Sequence, residues 1–261
     1  MPVVCATTAQ FPGLSVQRAL SEIASGVHEG VWGLLSSAHI QLCPQSAGIL
    51  SEEEVERLAS AYPQSKLRLH ANARVLNRHV LWDASMFSSE TKEYYVALTD
   101  RMLRLNSSVF SIHAGYVEHC PPEKFWDRVE QVRECVDSAS QGRVSLAIEG
   151  LYPSRHHAQH VSSWADYEEL LKRGVPFALD LSHLNIVAHS EKTWNSSLVR
   201  EMMTSSGCKE IHVSDNDGRG DRHLAMEKTP RWWDDLHDIS LDADCIVFSE
   251  GNLIPRKISV L

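Results

Sequence analysis

Short apolar runs of strand length alternate with amphipathic stretches along most of this chain. The amphipathic stretches repeat apolar positions every three to four residues and so read as helices. Residues 51–62 open on Ser51-Glu52-Glu53-Glu54, a start of the capping-box kind, and place Val55, Leu58 and Ala59 on one face. Residues 88–105 (Tyr94, Tyr95, Leu98, Met102, Leu105) and 121–139 (Phe125, Val129, Val132, Val136) follow the same rule. The second of these begins with prolines in its first turn, where a missing N–H does no harm. Residues 163–173 and 193–204 continue the series. Between the helices lie apolar runs at 67–69, 109–112, 144–148, 177–179, 210–213 and 245–248, preceded by two weaker candidates at 3–6 and 31–35.

Continuous apolar strands alternating with helices imply a parallel sheet covered by helices. Eight strand candidates in 261 residues favour an α/β fold of one domain, a single (β/α)8 TIM barrel over residues 1–261, rather than a doubly wound sheet. No linker, low-complexity tract or domain boundary interrupts the pattern. Only residues 251–261 follow the last strand candidate, too few for a full eighth helix and its connection. The barrel is therefore expected to lack that helix, and to be open there or covered by a second copy or another partner.

Composition narrows the function classes. Hydrophobic residues at 43% and charged residues at 23% are ordinary for a globular chain and argue against disorder. The N-terminus has no basic region followed by an apolar core, and no apolar run approaches the ~20 residues that span a bilayer, so a cytoplasmic protein without membrane contact is expected. Six cysteines without C-x-x-C pairing fit buried thiols of a reducing compartment. A net charge of −9 disfavours a broad phosphate-binding surface, and with it nucleic acid as a partner; a small-molecule substrate is expected instead. The outlier is histidine, with 14 residues, which favours metal ligation.

The segment from Ile211 to His223 gives that histidine content a place. An apolar strand ends in His212, and the polar loop after it returns Asp221 and His223. The same design recurs, an apolar run ending in a hard or borderline ligand: His70, His113, Glu149, Asp180 with His183, and Glu250. In a (β/α)8 barrel the C-terminal strand ends converge on one mouth. Nine such side chains exceed the four to six ligands of one ion, so they imply either two or three ions or one ion with catalytic and substrate-binding groups around it. Asp180 and His183 also suit the cap of a following helix. His156, His157 and His160 read as loop residues near the mouth.

At these residues the chain resembles the xylose-isomerase-like barrels, which include sugar isomerases and epimerases, inosose dehydratases and endonuclease IV. The motifs are Leu146-Ala147-Ile148-Glu149-Gly150, Ala178-Leu179-Asp180-Leu181-Ser182-His183, Ile211-His212-Val213-Ser214-Asp215 and Phe248-Ser249-Glu250-Gly251-Asn252. The resemblance implies that Glu149, Asp180, His212 and Glu250 hold the principal metal. It places His70, His113, His183, Asp221 and His223 where endonuclease IV has the remaining ligands of a trinuclear zinc cluster. The matching region covers roughly residues 66–250.

Three chemistries follow. The leading one is a metal-dependent isomerase or epimerase of a small sugar, polyol or sugar phosphate, with Glu149 and Glu250 removing and returning a proton beside a metal-polarised oxygen. Arg219 or Arg222, next to the ligands, would then bind a phosphate or carboxylate of the substrate, unless they are surface charges. The second is phosphoester hydrolysis at a di- or trinuclear zinc site. Ala73 in place of an aromatic residue, a non-basic segment Ser36-Ser37-Ala38-His39-Ile40-Gln41 taken as the loop after the second strand, and the non-glycine run Leu224-Ala225-Met226-Glu227-Lys228 count against cleavage of abasic DNA. The third is oxidative tailoring at a multinuclear iron site. Residue types leave the ion open among zinc, manganese and iron, with one to three bound.

Overall fold

Eight parallel strands close into a barrel in chain order: β1 (Val4–Thr7), β2 (Ser36–Leu42), β3 (Lys66–His70), β4 (Val109–His113), β5 (Ser145–Glu149), β6 (Phe177–Asp180), β7 (Cys208–Val213) and β8 (Ile246–Ser249), with β1 closing on β8. This architecture is that of a computed structural model, which describes residues 2–26, 29–43, 49–70, 73–76 and 82–253. The helices are α1 (Val16–Ala24), α2 (Glu52–Ala61), α3 (Ser89–Arg104), α4 (Pro122–Ser140), α5 (Trp164–Arg173), α6 (Leu181–Glu191), α7 (Ser196–Thr204) and the short α8 (Trp233–His237). The expectation of a missing eighth helix concerns a segment of which residues 254–261 lie outside the described residues. Among the described residues, no helix is long and apolar enough to cross a membrane.

Local chemistry accounts for where most helices begin. Ser51 caps α2 by accepting from the Glu54 amide, and three glutamates occupy its first turn, where the N-terminal dipole favours negative charge. Ser88 and Ser163 form capping boxes at α3 and α5, and α4 opens with proline. Three helices, α1, α6 and the short α8, lie outside the segments that periodicity marks. Leu181, Leu184, Ile186, Val187 and Ala188 of α6 are all buried, so that helix is apolar round much of its circumference and gives little contrast between faces.

The second strand corrects the sequence reading. Residues 31–35 are not a barrel strand: Gly33–Leu34 pairs with Glu29–Gly30 in a small hairpin, and the barrel strand is Ser36–Leu42, the stretch read as a loop. Its outward side chains Ile40 and Leu42 join the core under the helices, while Gln41 is buried inside the barrel. A strand with a polar inward face and few apolar outward positions lacks the continuous apolar run that marks the others. The apolar 31–35 run has another use, since Trp32 stacks on Trp232 and Trp233 at centroid distances of 6.2 and 5.2 Å.

Pairing sets the level of the strand ends. His113 stands opposite Glu149, Asp180 opposite His212, and His212 opposite Phe248. Because side chains alternate across a strand, residues two positions back from each inward strand end also point into the barrel. Arg68 lies below His70, Glu210 below His212, and Ala147 and Ala178 below Glu149 and Asp180.

Candidate metal centre

The nine strand-end residues meet at the mouth of the barrel. His70, Glu149, Asp180, His183, His212 and Glu250 are buried, and their donor atoms form three overlapping groups, each within 4.8 Å: His70–Glu149–His212, Glu149–Asp180–His183 and Asp180–His212–Glu250. His70 Nε2 lies 2.9 Å from Glu149 and 3.5 Å from Glu250. His212 Nδ1 lies 3.5 and 3.6 Å from the same two carboxylates. His113 is further out, 3.9 Å from Glu149.

The loop after β7 returns the other two. Asp215 and Leu224 exchange backbone hydrogen bonds of 3.0 and 2.9 Å, which folds residues 216–223 into a closed loop whose end comes back over the mouth. Asp221 then reaches His183 Nε2 at 3.4 Å and His223 Nε2 at 2.9 Å, and His223 Nδ1 stands 3.7 Å from Glu250. The middle of the loop faces outward. Arg219 is exposed, Arg222 is exposed and pairs with Asp217 at 3.2 Å, and neither lines the cavity below. His156 and His157 stay exposed, and His160 is stacked on Phe125 with its Nε2 at 3.0 Å from the Cys120 carbonyl.

Asp180 performs both roles that its position allows. Its Oδ1 accepts from the backbone N–H groups of Ser182 and His183 at 2.7 and 3.1 Å, capping α6, while Oδ2 turns to His183 Nε2 at 3.5 Å. His183 is held from the other side, where its Nδ1 lies 2.9 Å from the Gly150 carbonyl. In the neutral ring that ligation requires, a donor at Nδ1 would leave the Nε2 lone pair, on the side of Asp180 and Asp221, for a cation.

The donor set fits a cation. Four carboxylates (Glu149, Asp180, Asp221, Glu250) and five histidines share one cluster, and burying carboxylates without a counter-charge costs several kcal/mol per ion. Glu149 Oε2, Glu250 Oε1, His212 Nδ1 and His223 Nδ1 are buried atoms aligned for no hydrogen bond, although opposing atoms stand within 4 Å, and Asp221 Oδ1 is buried without a hydrogen-bond partner. Burial disfavours charge on His183, yet Asp180 and Asp221 outweigh it and raise the ring to about 10. Burial acts the same way on His223, and its contact with Asp221 lifts it to about 9. Burial raises the Glu250 carboxyl, whereas His70 and His212 overcome burial and hold Glu149 well below the usual range. Protons on the rings thus supply the positive charge that the carboxylates demand, and a bound cation would supply it instead.

A cavity of about 130 Å³ opens onto this cluster. Tyr116, Tyr152, Gln159, Leu151, Ala9 and Cys43 complete its wall beside the ligating residues. Tyr152 packs against His183 with ring centroids 4.8 Å apart. These wall residues come from loops and, for Ala9, from a 3-10 turn after β1, and carry no sequence pattern that would single them out.

A polar layer beneath the cluster also escaped the sequence reading. Glu210 is fully buried, with Oε1 3.0 Å from Arg68 and Oε2 2.8 Å from the Gln41 amide and 3.1 Å from His212 Nε2. Burial would raise its carboxyl, but His212 and Arg68 hold it below the ordinary range. The signal was available in the two-residue period: if His70 and His212 point inward, so must Arg68 and Glu210.

No protein-family model matches the sequence, and no curated protein matches it. Solved structures do match in fold. A D-tagatose 3-epimerase-like protein aligns over 96% of this chain and 91% of its own, with 14% identity and a TM-score of 0.68. An AP endonuclease of family 2 from Brucella melitensis aligns over 97% and 93%, with 13% identity and a TM-score of 0.64. The IOLI protein, whose structure contains a binding zinc atom, aligns over 95% and 89%, with 10% identity and a TM-score of 0.60. The chain therefore has the fold of the xylose-isomerase-like TIM barrels, a fold shared by a protein similar to a sugar epimerase, an endonuclease and a zinc-binding protein.

Proposed function

We propose that the protein is a metal-dependent enzyme of the isomerase or epimerase type acting on a small sugar, polyol or sugar phosphate. The observation that carries this reading is the pairing of two carboxylates around one ligand set: Glu149 and Glu250 both approach His70 and both approach His212 Nδ1, beside the cavity at the barrel mouth. Glu149, Asp180, His212 and Glu250 would hold the principal ion. A divalent cation bound there would polarise a carbonyl or hydroxyl oxygen and acidify the adjacent C–H. Glu149 and Glu250 then serve as the groups that take up a proton from carbon and return one. Tyr116 and Tyr152 offer aromatic faces to the C–H surface of a sugar, and the Gln159 amide a donor and an acceptor for its hydroxyls.

Exchange with solvent tests this chemistry directly. In heavy water, with manganese or zinc added, the protein is expected to place deuterium on the carbon next to the carbonyl of a small ketose or aldose. Glu149→Gln should slow that exchange by about 10²-fold or more, the usual weight of a positioned acid or base. Undiminished exchange by that variant would remove Glu149 from the proposed role.

One observation favours a second reading. His183, Asp221 and His223 form a group adjoining the Glu149–Asp180 side, suited to a second or third ion. Two or three zinc ions per chain, together with cleavage of a phosphoester and no carbon-bound exchange, would make the enzyme a hydrolase. One ion per chain favours the isomerase.

A further inference from the structure

We propose that Glu210 is the positioning residue of the metal centre: fixed by Arg68 and Gln41, it accepts a hydrogen bond from the Nε2–H of His212, holds the proton on that nitrogen and so presents Nδ1 of the ring as the ligand atom. The proposal rests on the metal-site reading above and concerns how that site is set.

A neutral imidazole carries one proton on two nitrogens, and a ligating nitrogen must be the one without it. His212 Nδ1 faces Glu149 and Glu250 and has no hydrogen-bond partner. Its Nε2 lies 3.1 Å from Glu210 Oε2. A carboxylate can only accept, so this contact requires N–H at Nε2. The Gln41 amide nitrogen, 3.0 Å from the same ring atom, would favour the opposite tautomer by donating into it. The charged acceptor wins that competition, because hydrogen bonds to an ionised group are about twice as strong as neutral ones. Gln41 instead donates to Glu210 at 2.8 Å.

Glu210 cannot swing away. Arg68 grips its other oxygen at 3.0 Å and is itself tied to the barrel floor by the Lys209 and Asp244 carbonyls at 3.2 and 3.4 Å. A buried ion pair of this kind adds little to stability compared with apolar residues of the same volume. Its one directional consequence is at His212. Carboxylates that orient ligating histidines in this way typically account for 10- to 100-fold in metal affinity.

The test compares zinc binding by the parent chain and by R68M/E210L, which removes both charges and leaves Gln41 as the only group at His212 Nε2. The dissociation constant is expected to rise about 10- to 100-fold, with the far-ultraviolet spectrum and the melting temperature of the metal-free protein little changed. Long-range ¹H–¹⁵N spectra of the zinc-loaded parent should show His212 coordinated through Nδ1 and protonated at Nε2. E210Q, which keeps the shape of the side chain, guards against misfolding of the double variant and should weaken binding by about 10-fold, the low end of that range. Equal affinity in parent and variants, or coordination of His212 through Nε2, overturns the proposal alone. A parent chain that binds no divalent ion overturns the metal reading and the proposal with it.

Discussion

Single residues at the mouth are constrained from more than one direction. Gly115, just after β4, has φ of +98°, and the space a methyl group would fill there is taken by the Asp83 carboxylate and the Ser85 hydroxyl. Asp83 is in turn held by the Ser85 amide and by His119 Nδ1, each at 2.9 Å. This knot sets the loop that brings Tyr116 to the cavity. Gly115→Ala is expected to cost about 2–3 kcal/mol, from the left-handed backbone and the overpacking together, measured as a shift in urea midpoint. A change below about 0.5 kcal/mol would show that the loop relaxes freely. The sequence marks His70, His113 and Glu149 because each ends an apolar run. It does not mark Asp83 or Tyr116, whose importance depends on partners that only the folded loops supply.

Elements were legible where local rules decide them. Ser51, Ser88 and Ser163 cap α2, α3 and α5 with contacts three residues away, so a linear reading finds those starts. The β2 strand and α6 were hidden for opposite reasons, one being too polar on its inward face and the other too uniformly apolar. At α6 capping and ligation meet in Asp180, and the two can be separated. Serine is about as good an N-cap as aspartate but offers no second oxygen to a metal. Asp180→Ser should therefore keep the stability of the metal-free protein within about 1 kcal/mol while markedly reducing the rise in melting temperature that added metal produces. An equal rise in the variant and the parent would exclude Asp180 as a ligand.

Across the whole molecule, the ligand cluster joins strands from β3 to β8 and the loop after β7, so an ion bound there ties most of the barrel together. Saturation at about 100 times the dissociation constant stabilises the folded state by about 2.7 kcal/mol. For a chain of this size that corresponds to a rise in melting temperature of roughly 5–10 °C. Zinc or manganese should produce it and a chelator should reverse it; no shift with any divalent ion would argue against a metal centre. The sequence by itself determined most of the alternation of strands and helices, the TIM barrel, and the residues that end β3 to β8, because periodicity and capping act over a few neighbouring positions. Tertiary structure decided which of those residues face one another. Closure of the barrel sets Glu210 against Arg68, 142 positions away, and the turn of the β7 loop brings Asp221 and His223 in while leaving Arg219 and Arg222 in solvent. Such contacts depend on the register of distant strands and on the path of a loop, and no local pattern encodes either.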